Sequence, residues 1–153
     1  MKIVELQDRD SLFEKAIKVF WKEWGNEHNY NFYEDAMIHS IDISSEIPRF
    51  YVAVENDEII GTYALLRNDL NSRQDLCPWL ACLFVEDKYR GKEIGSKLLQ
   101  HALQEAAKKG FNKLYLSSDL GGYYEKYGWR NISVVYGVSG GHIKLYEKET
   151  GVR

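Results

Sequence analysis

The stretch Leu83-Phe84-Val85-Glu86-Asp87-Lys88-Tyr89-Arg90-Gly91-Lys92-Glu93-Ile94-Gly95-Ser96-Lys97-Leu98-Leu99 reads as an apolar strand, a short basic turn with glycines, and the first turn of an amphipathic helix. Such a junction aims several backbone N–H groups and the positive end of the helix dipole at one spot. That spot suits a phosphate or a pyrophosphate. Arg90, Lys92 and Lys97 add mobile positive charge around it. The fold is decided by which phosphate-bearing molecule such a loop takes.

Three loop types are distinguishable by spacing. A mononucleotide loop needs glycine, four residues, then Gly-Lys-Ser/Thr. Here only three residues separate Gly91 from Gly95 and Ser96 precedes Lys97, which excludes it. A dinucleotide loop needs G-x-G-x-x-G opening the first strand–helix–strand unit, and this site lies past the middle of the chain with other spacing. The third type is Arg/Gln-x-x-Gly-x-Gly/Ala. Arg90-Gly91-Lys92-Glu93-Ile94-Gly95 resembles it, and so resembles the coenzyme A pyrophosphate loop of the GNAT acetyltransferases, with Glu93 where the first motif glycine is usual. A helix-start residue can hold right-handed dihedrals, so Glu93 is expected to keep its N–H for phosphate while its carboxylate points away. As a first-turn acid it also complements the helix dipole.

At 153 residues the chain is long enough for one domain with a proper core, and residues 1–153 read as a single domain. No apolar run approaches a membrane span, and the start Met-Lys-Ile-Val-Glu-Leu lacks a signal-peptide profile. Cys77 and Cys82, five apart, make no C-x-x-C pair, which predicts free thiols in a cytoplasmic setting. His28, His39, His101 and His142 share no metal-ligand spacing, so no metal is expected. A net charge of −3 argues against a general nucleic-acid binder.

The rest of the chain supplies the elements. Lys2 to Leu6 reads as a strand. Ser11 with Glu14 forms a capping-box pattern ahead of Leu12, Phe13, Ala16, Ile17, Phe20, Trp21 and Trp24 at helical spacing, with Gly25 as a stop. Asn31 with Glu34 predicts a second cap and a short helix to about Ser45. Phe50–Val54 and Ile59–Leu66 read as a hairpin turning at Asn56-Asp57, and Asn68–Asp75 as a polar loop. Trp79–Val85 is a near-continuous apolar run, expected for a strand covered on both faces. Ile94, Leu98, Leu99, Ala102, Leu103, Ala106 and Ala107 form the stripe of a third helix ending at Gly110. Lys113–Leu116 is a strand, Tyr123–Tyr127 a helical turn, and Trp129–Val138 with His142–Glu147 a closing hairpin around Ser139-Gly140-Gly141. The order βααβββαβαββ predicts a mixed α/β layer architecture with a right-handed strand–helix–strand crossover.

One helix and one strand after the phosphate loop stands Gly122-Tyr123-Tyr124-Glu125-Lys126-Tyr127-Gly128-Trp129. It resembles the second GNAT hallmark, aromatic-Tyr-Glu-Lys-x-Gly-Phe/Trp. The resemblance implies a GNAT-like fold, with a central, mostly antiparallel sheet and a splayed strand pair. It also implies acetyl-CoA as co-substrate, with Arg90, Gly91, Lys92, Glu93, Ile94, Gly95 and Ser96 at the pyrophosphate. The backbone of Leu83, Phe84 and Val85 would meet the pantetheine arm as an added strand. Tyr124 would protonate the departing thiolate; a phenol at about 10 and a thiol at about 8.5 make that transfer only slightly uphill. A Val85 N–H would bind the developing carbonyl charge. Tyr123, Tyr127 and Trp129 read as core.

Many relatives carry a carboxylate on the strand corresponding to Trp79–Val85. Leu80-Ala81-Cys82 has none, leaving Asp119 or Glu23 as candidate relays through water, and Ser117-Ser118-Asp119 stands where an Asn is frequent. Cys82 reads as a small core thiol rather than a nucleophile. Glu23, Glu27, Glu34, Asp35, Asp42 and Glu46 crowd Trp21–Pro48 against a single Lys22, a pattern that attracts a cationic amine. Trp24, Tyr30, Phe32 and Tyr33 would line its pocket or belong to the helix core. Two functions follow: transfer of acetyl from acetyl-CoA to a primary amine of a small molecule or peptide by direct transfer in a ternary complex, or a non-catalytic acyl-CoA-binding module. A monomer and a homodimer are both compatible with the closing hairpin, and no nucleic-acid or membrane partner is expected.

Overall fold

The computed structural model describes residues 1–151. Among them the chain runs β1 (Lys2–Glu5), α1 (Ser11–Trp24), α2 (Tyr30–Ile38), β2 (Arg49–Glu55), β3 (Glu58–Leu66), β4 (Trp79–Val85), α3 (Ile94–Lys108), β5 (Lys113–Ser118), β6 (Arg130–Tyr136) and β7 (His142–Glu149). Short 3₁₀ turns occupy Asp87–Tyr89 and Glu125–Tyr127. The strands form one mostly antiparallel sheet in the order β1-β2-β3-β4-β5-β7-β6. β4 and β5, the strands flanking α3, are parallel and meet at Trp79↔Tyr115. The mixed α/β order expected from the sequence is present, with the helical turn after β5 reduced to 3₁₀ form.

Helix α1 buries Phe13, Ala16, Ile17 and Phe20 along one stripe. Its cap is Asp10 rather than Ser11: the Asp10 carboxylate accepts from the Phe13 N–H at 2.9 Å, and Ser11 is the first helical residue. The expected α2 is corrected more substantially. It begins at Tyr30 after Asn29 and stops at Ile38, so Asn31 lies inside it and residues 39–45 lie outside. The physical reason is a competing set of donors. Ser40 Oγ bonds back to the Met37 carbonyl at 2.7 Å. The Arg49 guanidinium donates to the carbonyls of Ser40, Ser45 and Glu46 at 3.0, 3.2 and 3.2 Å. Those carbonyls need no helical N–H partners.

The β2–β3 turn is Asn56-Asp57, with φ of 51° and 63°. Two left-handed residues in a two-residue connection match the right-handed twist of the flanking strands. In β4 only Trp79, Leu80 and Ala81 are buried, while Cys82 to Val85 are half-buried, so the expectation of cover on both faces holds for the first half alone. The change falls at Cys82, whose φ is 55°, and the Thr62 hydroxyl donates to the Cys82 carbonyl at 2.8 Å. The cysteine expected as a small core thiol is thus half-buried at a kink. The closing hairpin is β6–β7, with the turn closed by Gly137 N–H to Gly141 O at 2.8 Å and Gly140 N–H to Gly137 O at 3.0 Å.

Two compact units contain these elements: residues 1–64 with 82–98, and residues 65–81 with 99 onward. The first is cored by the α1 stripe with Met37, Phe50, Val52 and Ile60, and by Tyr51 and Tyr63, whose rings stack at 4.4 Å. In the second, Trp79, Tyr115, Val135 and Leu145 pack together with Leu76 and Ile143 against them.

Candidate active site

In the first unit, the end of β4 and the start of α3 are joined by a tied turn. Glu86 N–H donates to Ile60 O at 2.8 Å, Tyr89 N–H to Glu86 O at 2.9 Å, and Arg90 N–H to Asp87 O at 3.2 Å. The Arg90 side chain is not the mobile charge expected. Its Nε donates to Val85 O at 3.1 Å and its guanidinium pairs with the Asp87 carboxylate at 2.9 Å, clamping strand to turn. Lys88 pairs with Glu58 at 3.3 Å, and the Lys88 and Lys92 ammoniums lie 5.5 and 5.3 Å from the Tyr89 ring.

Gly91 holds φ +81° with nothing within 4 Å of a would-be Cβ, so glycine is demanded there by the dihedral and not by space. Glu93 holds φ +62°. This corrects the expectation of right-handed dihedrals: the residue adopts the conformation that a glycine would take without strain. The helical ladder of α3 starts with Lys97 N–H to Glu93 O at 3.1 Å, supported by Ser96 Oγ to the same carbonyl at 2.9 Å. The N–H groups of Ile94, Gly95 and Ser96 therefore precede the ladder and face outward from the helix start. An anion placed there meets these N–H groups and the helix dipole.

Leu83, Phe84 and Val85 are the half-buried end of β4. A Cβ on Gly61 of β3 would lie 2.9 Å from Phe84 O, so glycine permits the close approach of β3 here. Trp24 stands edge-on to Phe84, with ring centroids 6.2 Å apart at 83°, and is 37% exposed. Phe32 is also exposed and packs on Tyr33, while Tyr30 packs on Trp21. Glu23 and Asp119, the two relay candidates, are exposed.

In the second unit, Tyr124 is buried, 8% exposed, within an aromatic group. Its ring meets Tyr123 at 5.0 Å, Tyr146 at 5.4 Å and Trp129 at 6.4 Å. Its carbonyl accepts from Tyr127 N–H at 3.0 Å and Trp129 N–H at 3.2 Å, which closes the 3₁₀ turn before Gly128 at φ +90°. Burial pushes the Tyr124 hydroxyl above the ordinary phenol range, and a hydrogen bond with the Ser118 side chain works in the opposite direction. A phenol held this way stays protonated at neutral pH and can donate. Trp129 is core as expected; Tyr123 and Tyr127 are only half-buried.

Some features were not foreseen. Asp69, in the β3–β4 loop, is pushed up to about 6 by burial. The loop around it is wired by Asn68 and Asn71: Asn71 N–H donates to Asn68 Oδ1 at 2.9 Å, and Arg73 N–H to Asn71 Oδ1 at 3.0 Å. The loop also meets the end of β6 through Ser72 N–H to Tyr136 O at 2.9 Å. Sequence carries no signal that singles out Asp69 from the neighbouring Asp75, because the difference is made by the loop's path. Glu125 lies inside the second motif, where the sequence marks it only as part of the family pattern.

The acetyltransferase (GNAT) family profile matches residues 11–129. N-alpha-acetyltransferase 30 of Schizosaccharomyces pombe (strain 972 / ATCC 24843) is 27% identical over 95 residues, 58% of this chain and 63% of that protein. The match thus spans less than two thirds of that relative's length. The crystal structure of aminoglycoside 6′-N-acetyltransferase complexed with coenzyme A superposes with a TM-score of 0.72 at 18% identity, covering 100% of this chain and 99% of that one. The NatC complex bound to Gag peptide and CoA gives a TM-score of 0.66 at 17% identity, covering 97% and 99%. These likenesses show the fold. With the profile matched over most of its length, the chain belongs to the acetyltransferase (GNAT) family.

Proposed function

We propose that this chain transfers the acetyl group of acetyl-CoA to a primary amine of a small molecule or peptide, directly and without a covalent enzyme intermediate. The observation that carries this reading is the β4–α3 junction, where left-handed Gly91 and Glu93 lead into outward-facing N–H groups at the start of α3. The fit to the co-substrate is chemical: a pyrophosphate takes the N–H groups of Ile94, Gly95 and Ser96, Lys92 adds charge, and Arg90 holds the turn in shape. The backbone of Leu83, Phe84 and Val85 takes the pantetheine arm, with the Val85 N–H at the thioester carbonyl. Residues 1–153 act as one domain; the boundaries of the two compact units fall inside β3, β4 and α3 rather than in linkers.

In the reaction the neutral amine nitrogen bonds to the thioester carbon and gives up a proton to water, the carbon–sulfur bond breaks, Tyr124 gives its hydroxyl proton to the sulfur, and the phenolate takes a proton back from water. Much of the rate comes from holding two reactants in register away from water. The relatives' names span both acceptor classes, an N-alpha-acetyltransferase and an aminoglycoside enzyme. The acids of residues 23–46 and the exposed face of Trp24 favour a cationic acceptor.

A second reading, a non-catalytic acyl-CoA-binding module, is favoured by Glu93 at the motif glycine and by the lack of a carboxylate on β4. Thiol release from acetyl-CoA, followed across a panel of polyamines, aminoglycosides and peptides with free N-termini, separates the two. Turnover with any of them that falls at least about 100-fold in Tyr124→Phe, with acetyl-CoA affinity retained, supports the transferase with Tyr124 as acid. Binding of acetyl-CoA with no turnover across the panel supports the module.

A further inference from the structure

The second unit holds a carboxylate and a phenol that the proposed chemistry does not use, and both are aimed at the segment that carries Tyr124. The Tyr146 hydroxyl lies 2.9 Å from Leu120 O and 3.2 Å from Glu125 Oε2, while Glu125 Oε1 accepts the Gly122 N–H at 3.0 Å. Tyr146 is fully buried in β7, opposite Leu116 of β5, and its ring packs on that of Tyr124 at 5.4 Å. The segment spanned, residues 120–125, contains Gly121 and Gly122, the latter at φ +85°. Glycines so placed leave a backbone with many accessible states when nothing ties it. The ties all end on these six residues: the single Tyr146 O–H proton, from the sheet, lies between the Leu120 carbonyl and the Glu125 carboxylate, and the Gly122 N–H bond to Glu125 closes the turn.

We propose that Glu125 and Tyr146 are positioning residues for acetyl transfer: together they fix the Leu120–Glu125 backbone to β7 and so set the place of the Tyr124 hydroxyl. The proposal rests on the reading of Tyr124 as the acid. Proton donation needs the donor within about 2.6–3.2 Å of its acceptor, and a displacement of 1 Å at a reacting group is worth about 100-fold in rate. A hydrogen bond to an ionised group fixes such a distance better than packing alone. The loss on removing it falls on kcat, since neither residue belongs to the loop that holds the co-substrate.

The test is a double-mutant cycle on turnover. Tyr146→Phe removes one hydroxyl and keeps the ring; Glu125→Ala removes the carboxylate and with it the bonds to Gly122 and Tyr146. Each is expected to lower kcat about tenfold with the KM for acetyl-CoA unchanged, the loss of one such hydrogen bond. In a Tyr124→Phe background neither is expected to lower kcat further, because the group they position is gone. Losses that multiply with that of Tyr124→Phe overturn the positioning role while leaving the acid assignment in place. Tyr146→Phe and Glu125→Ala both at wild-type kcat also overturn it. Unchanged turnover in Tyr124→Phe alone overturns the acid assignment itself, and with it any positioning exerted through that residue.

Discussion

Glu93 shows what a single residue does to a motif. An L-residue at φ +62° costs about 1–2 kcal/mol against a glycine, partly offset by glycine's larger loss of backbone freedom on folding. Glu93→Gly is therefore expected to raise stability by about 0.5–1 kcal/mol in urea unfolding. It also removes a negative charge from the loop proposed to hold the pyrophosphate, so acetyl-CoA should bind severalfold more tightly by calorimetry at low salt, with the gain shrinking as salt rises. Equal affinity in both proteins would mean that the carboxylate sits clear of the phosphates. Tyr124 carries the opposite kind of information. Its hydroxyl is raised above the ordinary phenol value chiefly by burial. In the proposed reaction the acid form is the active one, so a raised value keeps the donor competent to higher pH. The alkaline limb of kcat should lie above pH 10, and Ser118→Ala, which removes the interaction that lowers the value, should move it further up. A limb near pH 8 that survives Tyr124→Phe would assign the titration to another group.

Elements were legible wherever a periodic stripe or turn chemistry spoke for them, and illegible where a distant side chain took over the backbone. The α1 and α3 stripes and the Asn56-Asp57 turn fall where the sequence predicts. The C-terminal half of the expected α2 does not form, because Arg49 of β2 supplies donors to carbonyls at residues 40–46, a partnership that local propensity cannot reveal. Likewise, β4 reads as a plain apolar strand, yet bends at Cys82 where a Thr62 hydroxyl from β3 claims its carbonyl. The β3–β4 loop makes its own prediction. Asp69 titrates at about 6 in the folded chain against 3.8 when unperturbed, so the folded state holds its proton more tightly. Folding stability then falls as pH rises from about 4 to about 6 and stays lower above, by up to about 3 kcal/mol. Asp69→Asn should recover stability at pH 8 and give no gain at pH 3.5 in paired urea melts. An equal gain at both pH values would trace the effect to shape or hydrogen bonding rather than charge.

At the scale of the whole molecule, the two motifs sit at a strand–helix junction and a 3₁₀ turn, elements whose type sequence spacing predicts, while the dihedral at Glu93 and the burial of Asp69 came only from the assembled backbone. That division decides how the loop should be tested. A phosphate site of the proposed kind, built from backbone N–H groups, forms only when β4 and α3 are folded, so acetyl-CoA would have no comparable site on the unfolded chain. Ligand at 100 times its dissociation constant then adds about 2.7 kcal/mol, which for a chain of this size is a rise of roughly 5–10 °C in the unfolding midpoint. Acetyl-CoA and CoA should give comparable shifts, since the pyrophosphate and pantetheine are common to both, and ATP a much smaller one, because no Gly-x4-Gly-Lys-Ser/Thr loop is present to wrap its phosphates. A shift with ATP equal to that with CoA would show a general polyphosphate site at the start of α3 and remove pantetheine from the binding account. No shift with any of the three would mean that the strain and charge at Glu93 outweigh the helix start. In that case Glu93→Gly in the same titration should bring the CoA shift back, tying the residue-scale argument to the behaviour of the intact chain.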